Sequence, residues 1–406
     1  MQNLNKANSK KNTFVVGFVE IKDSFENLKV CMETFKSDLE ELQGLVWDKK
    51  KIKLVFFGDY EFLSKLYGLS GAAGNFPCLW CVTSKSQMKK GPSCSKRRTL
   101  KMIQRSHFRF KTYGKGIKKN VNRYHNCLHQ PLVSVPLEHV VPPYLHLLLG
   151  IVLRHHRLLE AAADHIDARL AAQSGDDAIG EGESARRFKS NWVEAEKLKA
   201  EAGFQYGRVT MADETLGEDE RQQYASKLEE ALEAIENLET GDELKKRQGP
   251  VCSKLDGILK CNNITPQAYH SRAFNGNHCH KYVTKGVYKE LTDSIIKTTR
   301  NSTKNINVIE EAERVQRRFN MINEAFSSVH EHISHGRPVD KNDFPSIQFQ
   351  IAISNYTAMY RKMFPGKVFP KLHILEHHCL EWIKRFGFGM ATHGEQGMLN
   401  LLNILF

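Results

Sequence analysis

Ile52-Lys53-Leu54-Val55-Phe56-Phe57-Gly58-Asp59-Tyr60 is an apolar run, rich in β-branched and aromatic residues, that ends abruptly on Gly-Asp. Such a run is predicted to be a short strand. Residues 14–21 read the same way, and 25–45 between them carry a helical repeat of apolar positions. A helix of that length between two apolar strands implies a right-handed crossover and a parallel pair. Two strands do not make a stable sheet, so further strands are expected. Beyond residue 135 the patterns are almost all helical: 145–172, 185–202, 218–239, 287–299, 308–333, 347–364 and 371–385. The predicted class is therefore α+β and mostly helical. Residues 175–183 and 202–217 read as linkers, and no internal repeat is found.

With 406 residues, 41% hydrophobic and 26% charged, the chain is long enough for two or three domains. This composition excludes wholesale disorder, a collagen-like fibre and a small disulfide scaffold. The longest apolar stretch, 140–153, is broken by Pro142, Pro143 and His146, and residues 1–12 lack the apolar core of a signal peptide. No membrane association is expected. Nine scattered cysteines suit a reducing compartment, the cytoplasm or the nucleus, better than a disulfide framework.

The net charge of +13 is local. Residues 82–137 hold fourteen Lys or Arg and no Asp or Glu, so the rest of the chain is close to neutral. Lys96, Arg97, Arg98, Lys101, Arg105, Arg109 and Lys111 alternate with His107, Phe108, Phe110 and Tyr113. Cations for phosphates and flat rings for bases are what a nucleic-acid groove requires, although a solvated loop or a nuclear-import signal has the same composition. The opposite sign appears at 213–243, where twelve acidic residues accompany a helical seam at Tyr224, Leu228, Ala231, Ile235 and Leu238.

Four groups carry candidate chemistry. Asp59 follows the predicted strand, where it could hold a hard divalent cation or simply cap the helix that starts at Tyr60. Cys78-Leu79-Trp80-Cys81 has the bite to chelate one Zn²⁺, or is two ordinary buried cysteines, or a redox pair. Missing ligands could come from His373, His377 and His378, where helical geometry pairs His373 with His377 at i, i+4. A rival source, His278-Cys279-His280, could reach one ion only from an extended segment. Glu395, among Gly387, Gly389, Gly394 and Gly397, opens the final apolar helix pattern, where it could merely compensate the helix dipole.

Together these residues resemble the catalytic core shared by the V(D)J recombinase catalytic subunit, Transib-type transposases and the transposase-derived proteins of cnidarian genomes. The resemblance lies in order and spacing. Asp59 precedes Cys78 by nineteen residues, Asn275-Gly276-Asn277 lies within the helical stretch, His373 and His378 form His-x4-His, and Glu395 stands in Gly394-Glu395-Gln396-Gly397. It runs from about residue 14 to the end and is weak between about 150 and 345.

The resemblance implies a partial RNase H-like sheet interrupted by a large helical insertion that a structural zinc pins back. Cys78, Cys81, His373 and His378 would be the zinc ligands. Family spacing prefers His378 to His377, which requires a helix end or a kink between the histidines. Asp59 and Glu395 would be two of three carboxylates holding Mg²⁺ or Mn²⁺ for DNA strand cleavage and transfer. The family's first catalytic Asp, on an upstream strand, has no counterpart, Asp23 being the nearest substitute, so the chain is expected to be an inactive fragment cut at its N-terminus and at its C-terminus.

The implied organisation is a strand-helix-strand unit at 1–75, the zinc and basic segment at 76–137, the insertion at 138–368, and the histidines with the catalytic Glu at 369–406. The expected function is that of a transposon-derived DNA transposase or recombinase-like protein, nuclear, bound to DNA and a possible homodimer. A domesticated, non-catalytic DNA-binding or assembly protein is the alternative, and a helical scaffold without nucleic acid is a third reading.

Overall fold

The computed structural model describes residues 24–51, 53–173, 249–265, 274–334, 346–387 and 390. The expected strand at 14–21, Asp23, the helices at 185–202 and 218–239, the acidic seam and Glu395 lie outside them.

The described chain is mostly helical. Helix α1 spans Phe25–Gly44, capped by the Ser24 hydroxyl on the Asn27 amide. A two-residue hairpin pairs β1, Val46–Trp47, with β2, Lys50–Lys51, antiparallel. Short helices α2 (Tyr60–Leu66) and α3 (Lys85–Lys90) follow, then α4 (Leu100–Thr112). The long helices are α5 (Tyr144–Gln173), α6 (Pro250–Cys261), α7 (Gly276–Thr284), α8 (Val287–Ser302), α9 (Ile306–Ile333) and α10 (Ser346–Met363). The described chain closes with α11 (Pro370–Ile374), a π-helical turn (Leu375–Cys379) and α12 (Leu380–Phe386). Among the described residues no helix is long and apolar enough to cross a membrane.

The strand predicted at 52–57 is reduced to one parallel bridge. The Phe56 amide donates to the His139 carbonyl at 3.1 Å, and the Val141 amide donates to the Phe56 carbonyl at 2.8 Å. In a parallel pair residues 53–55 would lie beside 137–139, but Leu137–His139 is a 3₁₀ turn whose His139 and Val140 amides bond back to the Pro136 and Leu137 carbonyls, and beyond the bridge Pro142 and Pro143 have no N–H to give. The only ladder among the described residues is the β1–β2 hairpin.

The chain divides into two compact units. One holds the residues up to His155 together with 264–288 and 320–406; the other holds 156–263 and 289–319. The first unit has its core in Leu63, Leu66, Tyr67, Leu79, Ile103, Phe110 and Val140, all essentially buried, and a second cluster in Phe326, Phe349, Tyr356 and Tyr360. Gly68 ends α2 at φ +71°, and a Cβ there would lie 2.3 Å from the His129 carbonyl oxygen, so the return of 128–132 over α2 needs glycine. The second unit packs Leu159, Ala163 and Ile166 with Val251, Leu255, Leu291, Ile295 and Val308. There the Asp167 carboxylate accepts the Val251 and Cys252 amides at 2.9 Å, satisfying the first turn of α6.

Candidate metal centre

Cys78 and Cys81 sit on a tight loop after the turn-rich 71–77, and the chain then runs back beside itself. The Val82 amide donates to the Lys96 carbonyl at 3.1 Å, and the Arg98 amide to the Trp80 carbonyl at 2.9 Å. This pairing carries the Arg98 side chain under the loop. Its Nε–H lies 3.0 Å from the Cys78 carbonyl and 3.1 Å from that of Cys81, and Nη2 donates to the Phe76 carbonyl at 3.3 Å. A cation thus fixes three carbonyls that the loop leaves without backbone partners.

The two thiols meet two imidazoles from almost three hundred residues along the chain. Cys78 Sγ lies 3.2 Å from His378 Nε2, Cys81 Sγ lies 3.2 Å from His373 Nε2, and the two Nε2 atoms are 3.3 Å apart. All four residues are buried, and their ligand atoms lie within 4.8 Å of one another. A tetrahedral zinc with bonds of about 2.0–2.3 Å separates its ligand atoms by about 3.3–3.8 Å, so the quartet is close to the required size. Among the described residues it is the one such group of metal-ligating side chains.

The π-helical turn settles which histidine joins. In a regular α-helix His377 would stand over His373. The turn at Leu375–Cys379 inserts one extra residue, so His378 takes that place instead. His377 is left to the side with its Nε2 3.3 Å from the Glu376 carboxylate. Glu376 is itself paired with Arg361 at 2.7 Å, both nearly buried, and Arg361 Nη1 reaches the Met88 carbonyl at 2.7 Å. This ties α10 and the π turn to the end of α3. Burial raises the Glu376 pKa, but His377 and Arg361 outweigh it and hold the carboxyl at about 2.

The environment favours the metal-binding form at Cys81 and His378 and opposes it at Cys78, whose thiolate would form only with the metal present. Burial pushes the Cys78 thiol up, whereas Cys81, next to the Cys78 and Cys94 thiols, is lowered well below the usual range. Burial lowers His378 to about 4, so its imidazole is neutral. The Trp80 ring stacks on His378 with centroids 5.5 Å apart, and Thr83 Oγ1 lies 3.0 Å from the Cys81 sulfur. The arrangement suits a structural metal such as zinc: four buried protein ligands, enough to fill a tetrahedral shell.

The other candidates fall elsewhere. Asp59 is the N-cap of α2, its Oδ1 accepting the Phe62 amide at 2.7 Å, and no metal-ligating group gathers around it among the described residues. His278 and His280 lie on helix α7, two residues apart on different faces, which removes the extended segment that a shared ion would need. Asn275 caps that helix, accepting the His278 amide at 2.8 Å.

Of the seven cations expected to meet nucleic acid, Arg98 is only 4% exposed and committed to the metal loop, which corrects that expectation. Arg97 is ion-paired with Glu381 and also meets the His378 ring. Lys96, Lys101, Arg105, Arg109 and Lys111 are exposed. Sequence reasoning missed Arg361 and Glu376, whose only signal is opposite charge on two apolar helical patterns. No family model matches the chain, and no curated protein matches it.

Proposed function

We propose that this chain is a transposon-derived protein of the DDE transposase and recombinase type, acting on DNA in the nucleus, with a zinc-pinned core and the basic 82–137 segment as its DNA contact. The observation that carries the reading is the quartet itself. Cys78, Cys81, His373 and His378 are the four positions that the resemblance selects, including His378 over the helically simpler His377, and they converge on one buried centre. The partial RNase H-like sheet belongs to the same proposal, with Phe56 and Val140 as its remnant parallel contact. Asp59 would be one of the carboxylates holding Mg²⁺ or Mn²⁺, with Glu395 another, and a homodimer would be the working form.

A second reading, a non-catalytic DNA-binding or assembly protein, is favoured by Asp59, whose Oδ1 is spent on capping α2. Both readings require DNA binding. On either, five exposed cations should give a steep salt dependence, with log affinity falling about 4–5 per log unit of salt. Anisotropy titrations with a labelled oligonucleotide over a salt series measure this, and absence of salt-dependent binding rejects both. Because the first catalytic Asp has no counterpart, negligible Mg²⁺- or Mn²⁺-dependent cleavage is expected from this chain, and robust cleavage that is lost in Asp59→Ala would overturn that expectation and the non-catalytic reading with it.

A further inference from the structure

Helix α4 divides cleanly by angle. Ile103, Ser106, His107 and Phe110 are buried along one side, while Lys101, Arg105, Phe108 and Thr112 follow one another at i, i+4, i+7 and i+11 along the opposite side. Phe108 stands in the middle of this otherwise polar ridge and is 63% exposed. Tyr113, the C-cap, is 71% exposed on the Arg109 flank. No carboxylate occurs anywhere in 82–137 to neutralise these cations. An apolar protein partner would bury the rings but leave Lys101, Arg105 and Arg109 desolvated and unpaired, at a cost. An intact duplex would pair the cations but offer no base face to the rings, since its bases are stacked on one another. A single strand satisfies both, because its phosphates follow the cations and its unstacked bases cover the rings.

We propose that the outer ridge of α4 is a binding surface for single-stranded DNA, with Arg105 and Arg109 on phosphates and with Phe108 and Tyr113 as stacking platforms. This rests on the DNA-binding reading and narrows its substrate to unpaired strands.

The test is fluorescence anisotropy on the full chain, with a labelled oligothymidylate against a labelled duplex of equal length. The expected result is tighter binding of the single strand. Phe108→Ala and Tyr113→Ala should each weaken single-strand binding about tenfold and leave duplex binding within about twofold. Arg105→Ala should weaken both. Phe108 and Tyr113 lie on the surface, so these variants keep the fold, which the circular dichroism melt verifies. Duplex binding equal to or tighter than single-strand binding, with Phe108→Ala indistinguishable from wild type, overturns this inference while the DNA-binding reading stands. Failure to bind either probe overturns both.

Discussion

Arg98 separates a structural role from a DNA-contact role, and the substitution Arg98→Ala decides between them. The guanidinium is buried and donates to the carbonyls of Phe76, Cys78 and Cys81 at 3.0–3.3 Å. Hydrogen bonds from a charged donor contribute about 1.5–3 kcal/mol each, partly offset by the cost of keeping the cation out of water. Alanine also leaves three loop carbonyls unpaired. A net loss of about 3–5 kcal/mol follows, by analogy with breaking a buried charged contact. For a unit of this size that lowers the melting temperature by about 10 °C. Because the same carbonyls belong to the ligand loop, zinc affinity should fall about 10–100-fold, as when an outer-shell partner is removed. Arg105→Ala, on the surface of α4, is the control and should change stability by no more than about 0.5 kcal/mol. Thermal unfolding and competition with a chromogenic chelator measure both quantities. An Arg98→Ala variant that melts and holds metal like wild type while DNA binding drops would refute the structural role.

Asp59→Ala should cost about 1 kcal/mol through loss of the cap on the Phe62 amide, and Asp59→Asn only a few tenths; urea unfolding distinguishes them, and equal losses would mean that the cap contributes nothing. His155 is fully buried between Asn323 Oδ1 and the Tyr356 hydroxyl, each 3.0 Å away, and burial lowers its pKa to about 4. The unfolded chain takes up this proton near pH 6.5 and the folded chain does not. Its contribution to stability is therefore complete above about pH 6.5 and is lost as pH falls toward 4, by about 3 kcal/mol in all. An NMR titration should find the His155 ring neutral at pH 5.5, and a midpoint near 6.5 would contradict the buried network.

The long helices were legible because apolar spacing over many turns leaves little ambiguity, and α5, α8, α9 and α10 begin and end within a few residues of their expected limits. Cys78 and Cys81 were legible as a chelating pair because two thiols at that spacing suit one ion. Their partnership with His373 and His378 was not, since nothing local joins segments so far apart, and only the resemblance chose His378. The π turn has no signal in Leu375-Glu376-His377-His378-Cys379, because the extra residue is set by packing against Trp80 and the metal loop. The strand at 52–57 does not extend, although its apolar content is real, because the segment it would pair with is a 3₁₀ turn before Val140 and two prolines after Val141. Helix α4 was passed over as a basic segment, although Ile103, His107 and Phe110 carry a helical spacing. Arg98 looked like its charged neighbours, and only tertiary structure turned it inward.

The zinc-pinned core is tested most directly by the metal content of the purified chain, measured by elemental analysis for wild type, Cys78→Ser, His377→Ala and His378→Ala. It requires about one zinc per chain in wild type and in His377→Ala, and loss of that zinc in Cys78→Ser and His378→Ala. A folded wild type without zinc, or retention in His378→Ala with loss in His377→Ala, would contradict it.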